Sequence, residues 1–233
     1  MHLKFEENLD MSNKSLILIL SASLGCAVLT SGCAPLIVGG AAAATGMTVS
    51  TIVDRRSTGA VVNDSVIEKR VPWEISEALG KSVEHHITVT SYNGRVLLTG
   101  EIQTAEAKEI ATRVAQSSLD VREVINDLAV MPNADMTQRM SDSTLATKVR
   151  TRLIGTENIS INQLKVAVDR GIVYIMGILS PQENQIVCQV AAKTSGAKRV
   201  VSVATIMTPE QIAQRMRDLQ RSQNKQKQNE ESY

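Results

Sequence analysis

Aromatic side chains are scarce in this 233-residue chain, which has one Trp, one Phe and three Tyr. A surface that stacks single-stranded bases needs several, so that mode of nucleic-acid binding is excluded. Three cysteines cannot form a disulfide framework in a chain of this length. Neither sign of charge is in excess, with 25 basic against 24 acidic residues, so the chain lacks the electrostatic footprint of a nucleic-acid binder. No Gly-x-Ser-x-Gly, phosphate loop or paired-carboxylate motif occurs; nothing marks an enzyme, and no cofactor is expected. His85 and His86 have no Cys or carboxylate cluster at ligand spacing, so two loop histidines are expected and no metal site. What is present, 43% hydrophobic and 21% charged residues, is enough to bury the core of one large or two small domains.

Charge is also missing locally: no Asp, Glu, Lys or Arg occurs from Ser15 to Val53. Lys14 precedes the apolar run Leu16 to Leu20, and small residues follow. A short basic region, an apolar region and a small-residue exit form a secretory signal peptide. Glu6, Glu7 and Asp10 suit that role poorly, so translation is expected to start at Met11. The exit, Leu29-Thr30-Ser31-Gly32-Cys33, resembles the lipobox of bacterial lipoproteins, with Thr30 standing where that motif usually has Leu. The resemblance implies that Cys33 carries a diacylglyceryl group and palmitate. It also implies that Ala34, which is not the Asp of inner-membrane retention, directs the chain to the periplasmic face of the outer membrane. An uncleaved transmembrane anchor satisfies the same hydropathy, but Ser31-Gly32 and Pro35 favour cleavage. Several acyl chains on one residue hold firmly where a single chain binds marginally.

The remainder is one unit written twice. Gly94-Arg-Val-Leu-Leu-Thr-Gly100 matches Gly171-Ile-Val-Tyr-Ile-Met-Gly177 at an offset of 77. Ile87-Thr-Val89 pairs with Leu164-Lys-Val166, and Glu106, Ile110 and Val114 pair with Glu183, Val187 and Ala191. Each unit reads as helix, strand, strand, helix, strand. In the second, Asp142 or Ser143 is expected to cap a helix facing inward through Leu145, Val149 and Leu153. Leu164 to Val168 alternates as a strand, Asp169-Arg-Gly171 makes a hairpin turn, and Pro181 with Glu183 opens the second helix. In the first unit Asn93-Gly94 is the turn, and Pro72 at the first helical position places the main helix start there. Gly94, Gly100, Gly171 and Gly177 are taken as the structural turn glycines.

This tandem pattern resembles the BON domain, and the chain is similar to the double-BON outer-membrane lipoproteins. Asp54-Arg-Arg56-Ser57-x-Gly59 and Thr147-Lys148-Val149-Arg150 belong to that likeness. The expected fold is α+β, two tandem small αββαβ domains, each a three-stranded sheet packed by two helices. The expected organisation is a signal peptide over 1–32, a lipidated Ala/Gly-rich linker over 33–63, domains over 64–131 and 142–207 with a linker over 132–141, and a tail over 208–233. What the resemblance implies is binding of anionic phospholipids such as phosphatidylglycerol and cardiolipin, a role in outer-membrane integrity, and no catalysis. The rival is a non-catalytic adaptor or chaperone-like partner of outer-membrane assembly proteins.

Charge separates the copies. Residues 64–130 hold seven basic and eleven acidic side chains, while residues 142–206 hold eight and four. A positive copy suits anionic head groups, each Lys or Arg contributing about 1 kcal/mol near such a surface. Lys148 and Arg152, four apart, project together from the second unit's first helix, and Arg150 points elsewhere. Thr144, Leu145 and Ile154 are the expected apolar edge. These six residues are the candidate lipid-binding set; the alternative is an ordinary solvated face or a charge match between the domains. Cys188 is expected to be buried and inert, and Trp73 to pack in a core or between domains. Thr208-Pro209-Glu210 starts a helix with a thin stripe of Ile212, Met216 and Leu219, and a disordered polar tail is expected after Arg221.

Overall fold

The computed structural model describes residues 54–231. Cys26, Cys33, the signal peptide and the choice between Met1 and Met11 lie outside the described residues.

Helix α1 runs from Thr58 to Leu79, capped by the Ser57 hydroxyl, which accepts from the Ala60 N–H. Its buried residues Asp64, Ile67, Val71, Ile75 and Leu79 recur every three or four positions, as one helix face requires. Pro72 lies inside this helix and does not begin it. Burial of Ile67 and Val71 before it, and of Ile75 and Leu79 after it, outweighs the backbone hydrogen bond that proline removes.

Strands β1 (His85–Tyr92) and β2 (Arg95–Ile102) pair antiparallel. Asn93 and Gly94 between them have φ of 55° and 76°, the double positive φ of a type I′ hairpin. Helix α2 (Ala105–Ser117) returns the chain, and β3 (Glu123–Asn126) joins parallel to β2. A two-residue strand β4 (Ala129–Val130), also parallel to β2, makes the sheet four-stranded where three strands were expected. The second repeat follows the same order: α3 (Met136–Ile154), β5 (Leu164–Asp169), β6 (Ile172–Leu179), α4 (Pro181–Ala192), β7 (Arg199–Ser202) and β8 (Thr205–Ile206). Ser180 and Glu183 form a reciprocal capping box at α4. Helix α5 (Pro209–Glu231) continues ten residues past Arg221, where composition predicts disorder. Gln, Lys, Arg and Glu are good helix formers, and no Gly or Pro interrupts them.

Helix α3 begins at Met136, inside the stretch read as a linker, with Asp135 as its N-cap. Asp142 is therefore not a cap. It is buried mid-helix, and its carboxylate accepts from the backbone N–H groups of Arg170 and Gly171 at 2.8 Å each. Asp64 in α1 does the same for Asn93 and Gly94, at 2.7 and 2.9 Å. Each repeat thus ties its hairpin turn to its first helix through one buried carboxylate. Gly100 and Gly177 lie within β2 and β6 and not in turns. At Gly100, with φ of 113°, a Cβ would stand 1.9 Å from the His86 carbonyl oxygen, so the two strands approach too closely there for any side chain.

Val96, Leu98 and Ile102 of β2 face α1 and α2, and Val173, Ile175 and Leu179 of β6 face α3 and α4. The intervening residues do not face water. Leu97, with Tyr92, packs against Tyr174, Met176 and Ile178 in a third cluster. The two sheets therefore stack face to face, with a pair of helices outside each. The alternation of Leu164 to Val168 is that of a strand facing one core, whereas the central strands β2 and β6 are buried on both faces.

Candidate functional site

The candidate set sits on α3 and its rim. The helix buries Asp142, Leu145, Ala146, Val149 and Leu153. At 3.6 residues per turn the opposite face carries Met136, Met140, Thr144, Thr147, Thr151 and Ile154. Met136, Met140 and Ile154 are 65–68% exposed. The Thr144 and Thr147 hydroxyls donate to the carbonyls of Met140 and Ser143, so their hydrogen-bonding capacity is turned back on the helix. Cations border this uncharged stripe: Lys148 and Arg152 on one side, Arg139 and Arg150 on the other. Asp142 is the one acidic residue between Met136 and Ile154, and it is buried. The outer surface of α3 is therefore uncharged along its length, with Met136 and Met140 at one end and Ile154 at the other, basic at its margins and free of acid.

The six predicted residues divide. Lys148 is exposed and makes no ion pair or hydrogen bond among the described residues. Arg150 donates to the Val166 carbonyl and Arg152 to the Lys193 carbonyl, each at 2.6 Å, which holds both guanidinium groups close to the fold. Thr144 and Ile154 face outward. Leu145 does not join them; it is 4% exposed and belongs to the second core, because it lies on the helix face turned to the sheet. Met136 and Met140 were missed because the helix was started two turns late. The signal was present, since Asp135 three residues before Gln138 has the form of an N-cap.

Beneath α3 a cleft of about 650 Å³ separates the domains, lined by Glu68, His86, Arg139, Arg150, Lys165 and Asp169. Lys165 pairs with Glu68 across it at 2.7 Å. His86 is on β1, not in a loop, with Nδ1 3.5 Å from the fully buried Glu101 carboxylate. Arg170 reaches the same carboxylate at 4.0 Å. Burial pushes the neighbouring Asp169 carboxyl above its ordinary range, against the pull of Arg170. The cleft carries acid as well as base, and Arg139 and Arg150, which border the α3 stripe, also line it.

Cys188 is half-buried, and burial pushes its thiol up, which lowers its thiolate fraction. Trp73 is 65% exposed and packs in no core. It stands with Val62 and Val66, 56% and 46% exposed, on the face of α1 opposite the sheet. No group of His, Cys, Asp and Glu suited to a metal occurs among the described residues.

A doubled αββαβ unit with a helix-borne basic surface is what fold and site define. Residues 63–132 and 141–207 both match the BON domain family, and the chain belongs to that family. It is similar to the outer membrane lipoprotein DolP of Haemophilus influenzae, at 30% identity over 184 residues, covering 79% of this chain and 93% of that protein. It is also similar to a 21 kDa hemolysin of Actinobacillus pleuropneumoniae, at 32% identity over 151 residues, 65% and 78% of the two chains. Among solved structures, CdsD, a structural protein of the Chlamydia trachomatis type III secretion system, aligns over 64% of this chain and 65% of its own at 12% identity and a TM-score of 0.26.

Proposed function

We propose that this chain is an outer-membrane lipoprotein, tethered through Cys33 on the periplasmic face, whose second BON domain binds anionic phospholipid and so supports envelope integrity without catalysis. Similarity to the outer membrane lipoprotein DolP of Haemophilus influenzae supports the location. The observation that carries the lipid reading is the outer face of α3, an uncharged Met, Thr and Ile stripe between Lys148, Arg152, Arg139 and Arg150. Such a face suits contact with anionic head groups through its cations, with the exposed Met136, Met140 and Ile154 side chains turned toward the acyl boundary. The Cys33 tether would keep that face near the bilayer, so a modest intrinsic affinity suffices.

Vesicle flotation of the chain lacking residues 1–33 tests this. Binding is expected with phosphatidylglycerol or cardiolipin vesicles and not with zwitterionic ones. Lys148→Glu, a charge reversal at a residue with no structural partner, should weaken it about tenfold or more with an unchanged melting temperature. Equal flotation of the variant would refute α3 as the lipid-contacting element. A second reading, a non-catalytic adaptor of outer-membrane assembly proteins, is favoured by the exposed Val62, Val66 and Trp73 stripe on α1. Flotation with no vesicle of either kind would leave the adaptor as the better account.

A further inference from the structure

Glu101 of β2 is fully buried at the seam where the two sheets meet, and neither of its oxygens accepts a hydrogen bond among the described residues. It stands opposite His86 on β1, so both side chains project from the same face of the first sheet, the one turned to the second repeat. His86 Nδ1 is also without a hydrogen bond and lies 3.5 Å from Glu101 Oε2. The second repeat adds Arg170, with Nε 4.0 Å from Glu101 Oε1, and Asp169, whose carboxylate accepts from the Gly100 N–H at 3.2 Å. Polar groups of both domains therefore meet in one cluster.

The charges of this cluster do not balance. Arg170 is its permanent cation, and the Nε and Nη2 of that side chain already lie 2.7 Å from Asp169 Oδ2, so one guanidinium serves two carboxyls. Neighbouring groups are committed elsewhere: Asp142 of α3 to the Arg170 and Gly171 N–H groups, Lys165 to Glu68, and Arg199 of β7 to Asp127, which also accepts from the Tyr174 hydroxyl. Arg139 of α3 lines the cleft with His86 and Asp169 but pairs with neither carboxyl of the cluster. With both carboxyls ionised and His86 neutral, the seam holds one uncompensated negative charge, which a protein interior strongly disfavours. The His86 side chain, 37% exposed, borders the cleft and gives solvent protons a route to the site.

We propose that this cluster is a proton-binding site that fastens the two domains. One proton, shared among His86, Glu101 and Asp169, offsets the second carboxylate; its loss as pH rises sets Glu101 against Asp169 across the seam and loosens the contact. Such a proton belongs to the coupled group and not to one residue. Burial, aided by the Glu101 charge, pushes the Asp169 carboxyl up against the pull of Arg170, the direction that retains the proton. In the unfolded chain carboxyls titrate at about 4 and imidazoles at about 6.5, so at slightly alkaline pH that proton has gone. The folded state then binds more protons than the unfolded one, and the stability this contributes is present at lower pH and lost as pH rises. The apolar part of the seam keeps the sheets stacked meanwhile, because Leu97, Met176 and Ile178 pack there with Ile212 and Met216 of α5.

Urea unfolding of the intact chain, Glu101→Gln and Asp169→Asn between about pH 7 and 9 tests this. The unfolding equilibrium constant of the intact chain should rise about tenfold per pH unit relative to either variant, the slope of one retained proton. Over the same range the Gly100 amide of the intact chain should lose hydrogen-exchange protection. Parallel profiles in all three chains overturn the proposal, and so does constant protection of Gly100. Should the variants not fold, carbon-13 NMR of the carboxyl and imidazole carbons of the intact chain counts the proton directly. His86, Glu101 and Asp169 together should carry one at about pH 7 and none at about pH 9, and an unchanged count across that range overturns the proposal.

Discussion

Asp64 shows what a single residue does in this fold. Its carboxylate is fully buried yet accepts from the Gly94 and Asn93 N–H groups, the Ser91 hydroxyl and the Arg56 guanidinium. Burial alone would raise its pKa; these four donors outweigh it and hold the carboxyl below its ordinary value. Asp64→Ala should cost about 3 kcal/mol in urea unfolding, because it leaves turn amides and Arg56 unpaired. The pH dependence follows from the direction of the shift. A carboxyl depressed in the folded state contributes stability that is complete above its unfolded pKa, about 4, and is lost as pH falls through the folded value. Glu183, burial again opposing but Arg55 and the Ser180 N–H prevailing, acts in the same direction, whereas the raised Asp169 acts in the opposite one. Urea midpoints taken from pH 6 downward should therefore fall less steeply for Asp64→Ala than for the intact chain. Neither Asp64 nor Asp142 was legible as a turn anchor, since the partners lie about 30 residues away and only the helix-on-hairpin packing brings them together.

The first helices of the two repeats, α1 and α3, occupy equivalent places and present different surfaces. Outward, α1 carries Val62, Val66 and Trp73 among mixed charges, while α3 carries methionines and threonines between cations. Met136→Asp/Met140→Asp should weaken flotation with anionic vesicles about tenfold and leave the melting temperature unchanged. Leu145→Asp, on the buried face of the same helix, should prevent cooperative unfolding altogether. The cationic margin of α3 was readable from four-residue spacing, and so was the inner face. The two turns from Met136 to Asp142 were not, because a helix was expected to start beside the apolar period, whereas Asp135 starts it before that period is established. Trp73 was misplaced for a related reason: a lone tryptophan in a short helix reads as core until the helix is extended back to Thr58 and its period puts Trp73 opposite Ile67 and Val71.

At the scale of the molecule, the segment entering the fold works as a clasp. Arg55, 8% exposed, donates to both oxygens of Glu183 and to the Ile178 carbonyl, each at 2.7 Å, so the chain leading to the first domain is fastened to the second. Arg56 pairs with Asp54 and Asp64 and lies 4.2 Å over the Tyr92 ring. Arg55→Met should cost about 3 kcal/mol, since it strands Glu183 without its partner, and should lower Tm by roughly 6–12 °C in a calorimetric scan.

The duplication, the order of elements, the hairpin turns and the charge difference between the copies followed from the sequence alone, because they rest on local periodicity and on residues a few positions apart. The stacking of one sheet on the other, the buried carboxylates that hold the turns, and the seating of α5 over the seam were decided by tertiary structure. They depend on surfaces that meet only after each repeat has folded, and a period-two pattern cannot say whether the second face of a strand will meet water or another sheet.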